Sequence, residues 1–254
     1  MILAVYVRNK GDMRVEDIID IHSHILPGID DGASSPEAAL HMLKEARHQG
    51  IREVIATPHY SRRFQNNCPE RIRELCGELQ KMSREKRLEI RIHSGQEILY
   101  SENVPGMIAQ GELLTMADSH YVLIEFYPGA SYLEILRAVR TLVMEGFSPI
   151  LAHVERYRAL RDEERLEELT GQGAYMQMNF SSVSGNWMNE TVRWCRKMLR
   201  EQYIHFMGTD MHDVTLRKPE TEAAVRWMRK KLDQRYMRNL LRGNAEKIIR
   251  DEKI

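Results

Sequence analysis

Short apolar runs alternate with longer amphipathic segments along most of the chain, and this alternation limits the fold more than any other feature. The apolar runs are Ile18–Ile21, Val54–Ala56, Leu88–Ile92, Tyr121–Phe126, Pro149–Ala152, Ala174–Met178 and Tyr203–Met207. The main helical patterns between them are Pro36–Gln49, Glu70–Arg87, Tyr132–Glu145, Asp162–Gly171 and Met188–Glu201. Strand–helix alternation repeated about seven times predicts an α/β protein with a parallel sheet. It does not by itself separate a closed barrel from an open, doubly wound sheet.

Metal-binding residue types follow the predicted strands. The first strand runs into Asp20-Ile21-His22-Ser23-His24, and because side chains two apart on an extended chain point the same way, His22 and His24 can bind one metal. The later strands end beside His59, Glu97, Glu125, His153, Asp210 and His212. In β/α barrels this end of the strands carries the chemistry. Burying so many titratable groups without a metal would be costly, so the pattern predicts a metal site.

Taken singly, each of these positions has a structural interpretation. A strand-end histidine is often only hydrogen-bonded, and a glutamate in an apolar strand can cap a neighbouring helix. The other five histidines are interpreted as structural or solvent-exposed: His41, His48, His93, His120 and His205. Histidine and carboxylate ligands suit manganese, iron or zinc and need no cysteine.

Composition excludes several classes of function. The 254 residues include 37 basic and 37 acidic side chains, and a zero net charge without a basic stripe argues against a nucleic-acid or anionic-membrane footprint. Apolar stretches fall short of the roughly 20 residues of a spanning helix, so we expect no membrane insertion and a cytoplasmic location. No glycine-rich nucleotide loop is present. Six residues after Cys68, Cys76 and Cys195 no arginine follows, which excludes a Cys-x5-Arg phosphatase.

The chain shows no low-complexity linker. We therefore predict one domain over residues 18–254, preceded by an extension of residues 1–17. From Lys218 onward the pattern is helical, with a break predicted at Gly243-Asn244.

Six segments in this order carry a family resemblance: DIHSHILPGIDDG, TPH, GQE, IEF, AHVERY and GTDMH. They resemble the PHP (polymerase and histidinol phosphatase) superfamily, and more narrowly its manganese-dependent protein-tyrosine phosphatases of the CpsB/YwqE type, from bacterial capsule and exopolysaccharide clusters. The resemblance runs from Ile18 to the C-terminus. It implies a distorted (β/α)7-type, TIM-like barrel, with a metal site of three Mn²⁺ ions at the carboxyl ends of the strands. Iron or zinc could replace manganese.

The resemblance also implies roles for individual residues. One metal would be held by His22, His24, Glu97 and Asp210. Glu97 would bridge to a second metal, completed by Glu125 and His153. The third would be held by Asp31, His59 and His212. Arg156 matches a family arginine implicated in catalysis, and Arg217 matches one placed near phosphate; a surface salt bridge is the alternative for both. Val154 departs from the family pattern, since many relatives have proline there.

The implied activity is that of a phosphomonoester hydrolase acting on phosphotyrosine, with a bacterial tyrosine kinase of capsule or exopolysaccharide synthesis as the protein partner. Hydroxide generated on the metals would attack phosphorus directly, without a phosphoenzyme. The alternative enzyme is a histidinol-phosphate phosphatase, which needs a small closed pocket. A metal-dependent nuclease is disfavoured by the charge balance. A non-catalytic regulatory barrel is disfavoured because all nine ligand positions are intact.

Overall fold

The computed structural model describes residues 18–61, 63–64 and 67–254, so the predicted extension of residues 1–17 lies outside the described residues. Its strands are β1 (Ile18–Ser23), β2 (Ile51–Ala56), β3 (His59–Tyr60), β4 (Arg91–Ser94), β5 (Glu97–Leu99), β6 (Tyr121–Glu125), β7 (Ser148–Leu151), β8 (Tyr175–Asn179) and β9 (Phe206–Gly208). Its α-helices are α1 (Pro36–His48), α2 (Pro69–Glu85), α3 (Val104–Ala109), α4 (Tyr132–Met144), α5 (Glu163–Gly171), α6 (Phe180–Ser184), α7 (Glu190–Arg200), α8 (Glu222–Lys231), α9 (Gln234–Arg238) and α10 (Asn244–Ile249). Each strand pair described is parallel.

The strands follow one another around a barrel. One sheet has the order β1-β2-β4 and the other β3-β5-β6-β7-β8-β9. Strands β2 and β3 are two parts of one chain path, separated by residues 57–58, and β4 and β5 are separated by residues 95–96. Two interrupted strands therefore connect the sheets: their first parts, β2 and β4, belong to one sheet, and their second parts, β3 and β5, belong to the other.

The first and last strands meet at their carboxyl ends. Ser23 forms a parallel bridge with Met211. Beside it, the Asp210 N–H donates to the His22 carbonyl at 2.8 Å and the His24 N–H donates to the Met211 carbonyl at 2.9 Å. This contact completes a ring of seven strand positions, and the predicted seven-fold β/α barrel is confirmed.

Side chains alternate along each strand, so apolar residues form two clusters, one inside the barrel and one that includes the buried faces of the surrounding helices. The barrel interior is filled by a cluster that includes Ile19, Ile21, Leu123 and Phe206. Ala245 and Ile248 of helix α10 belong to the same cluster. The Tyr121 hydroxyl, at the start of β6, donates to the Glu252 carbonyl at 2.9 Å. The C-terminal segment thus covers the amino end of the barrel, whereas it does not cover the carboxyl end, where the candidate ligands lie.

Local signals set the helix starts. Helix α1 begins at Pro36, as the sequence predicted, and Ser35 caps it by accepting a hydrogen bond from the Ala38 N–H. Helix α4 begins with a capping box between Ser131 and Glu134. Among the described residues no helix combines the length and the apolar character needed to cross a membrane.

Two local predictions were wrong. The third strand was predicted over Leu88–Ile92, but the chain turns there because Arg87 and Glu89 have φ values of 56° and 52°, and the strand starts at Arg91. The predicted break at Gly243-Asn244 is also absent: a π-helical turn over Asn239–Gly243 runs into α10, and Gly243 has a helical φ of −58°.

Candidate metal centre

All nine predicted ligands meet at the carboxyl end of the barrel. They form four overlapping groups in which the potential ligand atoms lie within 4.8 Å of one another. The groups are His24, Asp31, His59 and His212; His22, His24 and Asp210; His22, Glu97 and His153; and His59, Glu97 and Glu125. Glu97 belongs to two groups, as its predicted bridging position requires. His22, His24 and His59 also belong to two groups each, and this cuts across the division into three metals that the resemblance implies. That division stays a prediction.

Glu97 lies at the middle of the cluster. Its Oε2 atom is 3.1 Å from His22 Nε2, 3.2 Å from His24 Nε2 and 3.0 Å from His59 Nδ1. Its Oε1 atom is 2.9 Å from His153 Nε2. Burial alone would raise the pKa of this carboxyl group, but the neighbouring His22 charge and the His153 hydrogen bond hold it well below the usual value. Glu97 is therefore a buried carboxylate that faces four imidazoles.

Three histidines present the same ring edge to the cluster. His24 Nδ1 donates to Asp30 Oδ2 at 2.8 Å, and His22 Nδ1 donates to Gln177 Oε1 at 3.1 Å. His212 Nδ1 donates to the Asp210 carbonyl at 3.0 Å. A proton fixed on Nδ1 leaves the Nε2 lone pair free, which is the usual arrangement of metal-binding histidines.

The cluster fits divalent metal ions. Among the described residues, Glu97 Oε2 and His212 Nε2 are buried and form no well-aligned hydrogen bond in spite of their close neighbours, which is costly for polar atoms. A cation would supply the missing partner to both. Two ligands bound at the typical 2.0–2.2 Å to one metal lie roughly 3 to 3.5 Å apart, and the ligand-to-ligand distances around Glu97 have this spacing. The donors are nitrogen and oxygen only, which suits manganese, iron or zinc.

The local electrostatics favours protons where metals are not bound. Hydrogen bonds to Glu125 and Glu97 outweigh burial and raise the pKa of His153 to about 9. The pKa of His59 is raised in the same way, despite burial, by Glu97. His212 differs, because burial and the charge of His24 lower its pKa to about 3; the two rings stack with centroids 3.8 Å apart. Protons and metal ions therefore compete for this site.

The two predicted arginines both contact one candidate ligand. Arg156 Nη2 is 2.5 Å from Asp210 Oδ2, and Arg217 Nη2 is 2.9 Å from Asp210 Oδ1. Their side chains are 41% and 39% exposed, so they reach the cluster from the rim. The Arg217 carbonyl accepts the His212 N–H at 2.9 Å, which ties its loop to the cluster. The structure thus places both arginines beside the predicted ligands.

Sequence reasoning missed three supporting residues. Asp30 accepts the His59 N–H on Oδ2 at 3.0 Å as well as the His24 ring proton, and these contacts outweigh burial and lower its pKa to about 2. Gln177 Oε1 accepts the His153 N–H at 2.7 Å, and its Nε2 donates to Asn179 Oδ1 at 2.8 Å. Asn179 Nδ2 in turn donates to Asp210 Oδ2 at 3.0 Å. The available signal was the pair of polar residues two apart at the end of the apolar strand β8.

The fold and the site together define a metal-dependent hydrolase built on a β/α barrel. The chain belongs to the CpsB/CapC family: the family model described as "Capsular polysaccharide synthesis, CpsB/CapC" matches residues 18–250. The resemblance stated from the sequence motifs is thereby confirmed.

Relatives with assigned activities cover nearly all of the chain. Tyrosine-protein phosphatase CpsB of Streptococcus pneumoniae is 32% identical over 243 residues, which are 93% of this chain and 100% of the relative. Tyrosine-protein phosphatase YwqE of Bacillus subtilis is 32% identical over 238 residues, 93% of each chain. A crystal structure from the study of YwqE and CpsB, described there as unique metal-dependent tyrosine phosphatases, superposes with a TM-score of 0.87, covering 93% of this chain and 96% of that one.

A more distant structure shares the fold alone. A lactonase of Listeria monocytogenes is 12% identical, with a TM-score of 0.53 over 93% of this chain and 95% of its own. The barrel architecture alone therefore does not determine the activity.

Proposed function

We propose that the protein is a metal-dependent tyrosine phosphatase of capsule or exopolysaccharide synthesis. The observation that carries the proposal is the cluster of nine histidine and carboxylate side chains around a buried Glu97, with two arginines at the rim beside Asp210. Membership of a family whose relatives are named tyrosine-protein phosphatases supports the same activity. The proposed substrate is the phosphotyrosine of a tyrosine kinase of the same pathway, and the proposed location is the cytoplasm, where kinases find their ATP.

The proposed ligands for three Mn²⁺ ions are His22, His24, Asp31, His59, Glu97, Glu125, His153, Asp210 and His212. Bound divalent ions would lower the pKa of a coordinated water and supply the nucleophile near neutral pH. Four carboxylates balance two divalent ions, so a third leaves the site positive before the arginines are counted. Such a site favours a phosphate dianion within a protein of zero net charge.

Arg156 and Arg217 would bind the phosphate oxygens. Both guanidiniums already contact a carboxylate, whose planar pair of oxygens resembles two oxygens of a phosphate. Asp210 and its neighbours raise the pKa of Arg156 in spite of burial, so the side chain stays charged and acts electrostatically. A phenolate leaving group with a pKa of about 10 needs little help from an acid.

A paired turnover assay tests the proposal. The purified protein, stripped with a chelator and reloaded with Mn²⁺, is offered a phosphotyrosine peptide and histidinol phosphate. We expect Mn²⁺-dependent hydrolysis of the peptide and its loss in His153→Ala, whereas His48→Ala, an exposed histidine on α1, keeps the wild-type rate. Turnover of histidinol phosphate alone would contradict the tyrosine-phosphatase proposal and leave the metal site standing.

A further inference from the structure

A cleft opens on the surface beside the metal cluster. It has a volume of about 320 Å³, at the lower end of the range of ligand pockets. Pro27 and Ile29 line one side, and Arg63 and Phe64 line the other. No residue of this cleft belongs to the nine predicted ligands.

Both sides of the cleft continue loops that carry candidate ligands. Pro27 and Ile29 lie between His24 and Asp31, in a loop closed by the Ala33 N–H, which donates to the His24 carbonyl at 3.0 Å. On the other side, the Phe64 ring stacks on His59 with centroids 5.8 Å apart and planes 9° apart. The cleft is therefore fixed relative to the metal cluster.

The floor is tied to the same cluster. Asn67 is buried; its Nδ2 donates to the His59 carbonyl at 2.7 Å and its carbonyl accepts from Gln96 Nε2 at 2.9 Å. The Phe64 ring, which lines the cleft, lies 5.8 Å from the ring of the candidate ligand His59. We therefore expect the residues next to a phosphotyrosine bound at the cluster to pass the cleft.

The cleft is positively charged with an apolar base. Arg63 stacks over the Phe64 ring at 5.1 Å, and no carboxylate of the described residues forms an ion pair with it. Arg71, on α2, pairs with Glu74 at the surface, and such an exposed pair is weak and easily exchanged. Leu75 lies beneath them and is buried. An acidic side chain with an aliphatic stem complements this combination.

We propose that this cleft is a specificity subsite that binds an acidic residue next to the phosphotyrosine of the substrate. The inference rests on the proposed tyrosine-phosphatase function. Arg63 and Arg71 bind the carboxylate, while Phe64 and Leu75 contact its methylene groups. Small aryl phosphates do not reach the cleft, whereas protein substrates do.

Peptide series measured on the full chain test the subsite. The parent peptide carries glutamine at the two positions on each side of the phosphotyrosine, and four variants replace one glutamine each by glutamate. At one position at least we expect kcat/KM to rise three- to fivefold, the range of an exposed ion pair. Arg71→Glu should reverse this preference, so that lysine at that position is favoured over glutamate.

Arg73→Glu is the matched control, because Arg73 lies on the same helix but pairs with Asp118 at 2.9 Å and is not part of the cleft. It should keep the wild-type preference. Equal kcat/KM for glutamine and glutamate at all four positions, with the peptides still hydrolysed, would overturn the subsite and leave the phosphatase function intact. The same holds if Arg71→Glu and Arg73→Glu change the preference equally. Failure of the wild type to hydrolyse either the peptides or 4-nitrophenyl phosphate would instead remove the function and the subsite together.

Discussion

Two of the candidate ligands have a backbone conformation that non-glycine residues rarely adopt. His153 has a φ of 35° and Asp210 a φ of 53°. Such conformations cost ~1–3 kcal/mol each and persist where the surroundings hold them. Gln177 Oε1 accepts the His153 N–H, and the His22 carbonyl accepts the Asp210 N–H. At both residues the chain turns at the end of a strand. His153 thereby faces Glu97, and Asp210 faces His22 and His24.

Gln177 is expected to act on the metals through the residues it holds. Gln177→Ala removes the acceptor for the His22 ring proton and for the His153 N–H, so both rings gain freedom. Loss of such a supporting group typically lowers metal affinity 10- to 100-fold, and we expect a fall of about this size in Mn²⁺ titrations. Gln172→Ala, at a partly exposed glutamine bonded to Arg140 and outside the cluster, is the control. Unchanged Mn²⁺ affinity in Gln177→Ala would mean that Gln177 only fills space.

The sequence predicted the histidines and carboxylates that can bind a metal, but it did not predict the residues that hold them in place by hydrogen bonds. His22 and His24 were predicted from their two-residue spacing at a strand end. Gln177 and Asn179 carry amides, which are common in every setting, so their two-residue spacing at the end of β8 is only a weak signal. Asp30 stands next to Asp31, and only the fold shows that Asp30 holds His24 and His59 while Asp31 faces the cluster.

The loop between β1 and α1 folds back tightly on its own start. The Gly32 N–H donates to Asp30 Oδ1 at 2.9 Å, and a Cβ atom at Gly32 would lie 2.0 Å from the His24 carbonyl oxygen. Real Cβ atoms do not approach so closely, so only glycine allows this turn. The loop brings Asp31 to within 3.5 Å of His59 Nε2.

Gly32→Ala should therefore separate Asp31 from its neighbours. We expect a destabilisation of ~1–3 kcal/mol in urea unfolding, as for other overpacked sites, and at least a tenfold loss of kcat/KM. Gly77→Ala is the matched control, since Gly77 lies inside α2 with open space around its missing Cβ. That control should gain ~0.4–1 kcal/mol and keep full turnover. Normal activity in Gly32→Ala would refute the role given to this loop.

Elements were predicted well where periodicity and caps agree. Helix α1 begins at Pro36 as predicted, because Ser35 and Pro36 give a local start signal. The interruptions that split two strands into β2 with β3 and β4 with β5 were not predicted. They depend on contacts across the barrel, such as the Thr57 N–H that donates to the Ser23 carbonyl at 2.8 Å. The helical course through Gly243 was missed because a glycine is only a weak stop signal.

At the scale of the whole molecule, the two ends of the barrel have different tasks. Helix α10 and the residues after it cover the amino end, where Ala245 and Ile248 join the interior apolar cluster. The carboxyl end collects the candidate ligands, and the contact between β1 and β9 there brings His22 and Asp210 together from opposite ends of the chain. Ring closure depends on contacts between residues far apart in the sequence, so strand–helix alternation alone did not separate a closed barrel from an open sheet. The family resemblance predicted the barrel, which the periodicity of the sequence could not do.

The central claim is that the carboxyl end of this barrel binds metal ions through the nine predicted residues. Crystals of the Mn²⁺-loaded protein, measured on both sides of the manganese absorption edge, test it most directly. We predict three anomalous difference peaks, each in contact with members of the nine and with Glu97 touching more than one. We also predict fewer peaks in crystals of His153→Ala. Manganese peaks only elsewhere on the surface, or none at all in an active protein, would show that the nine residues do not bind the metal.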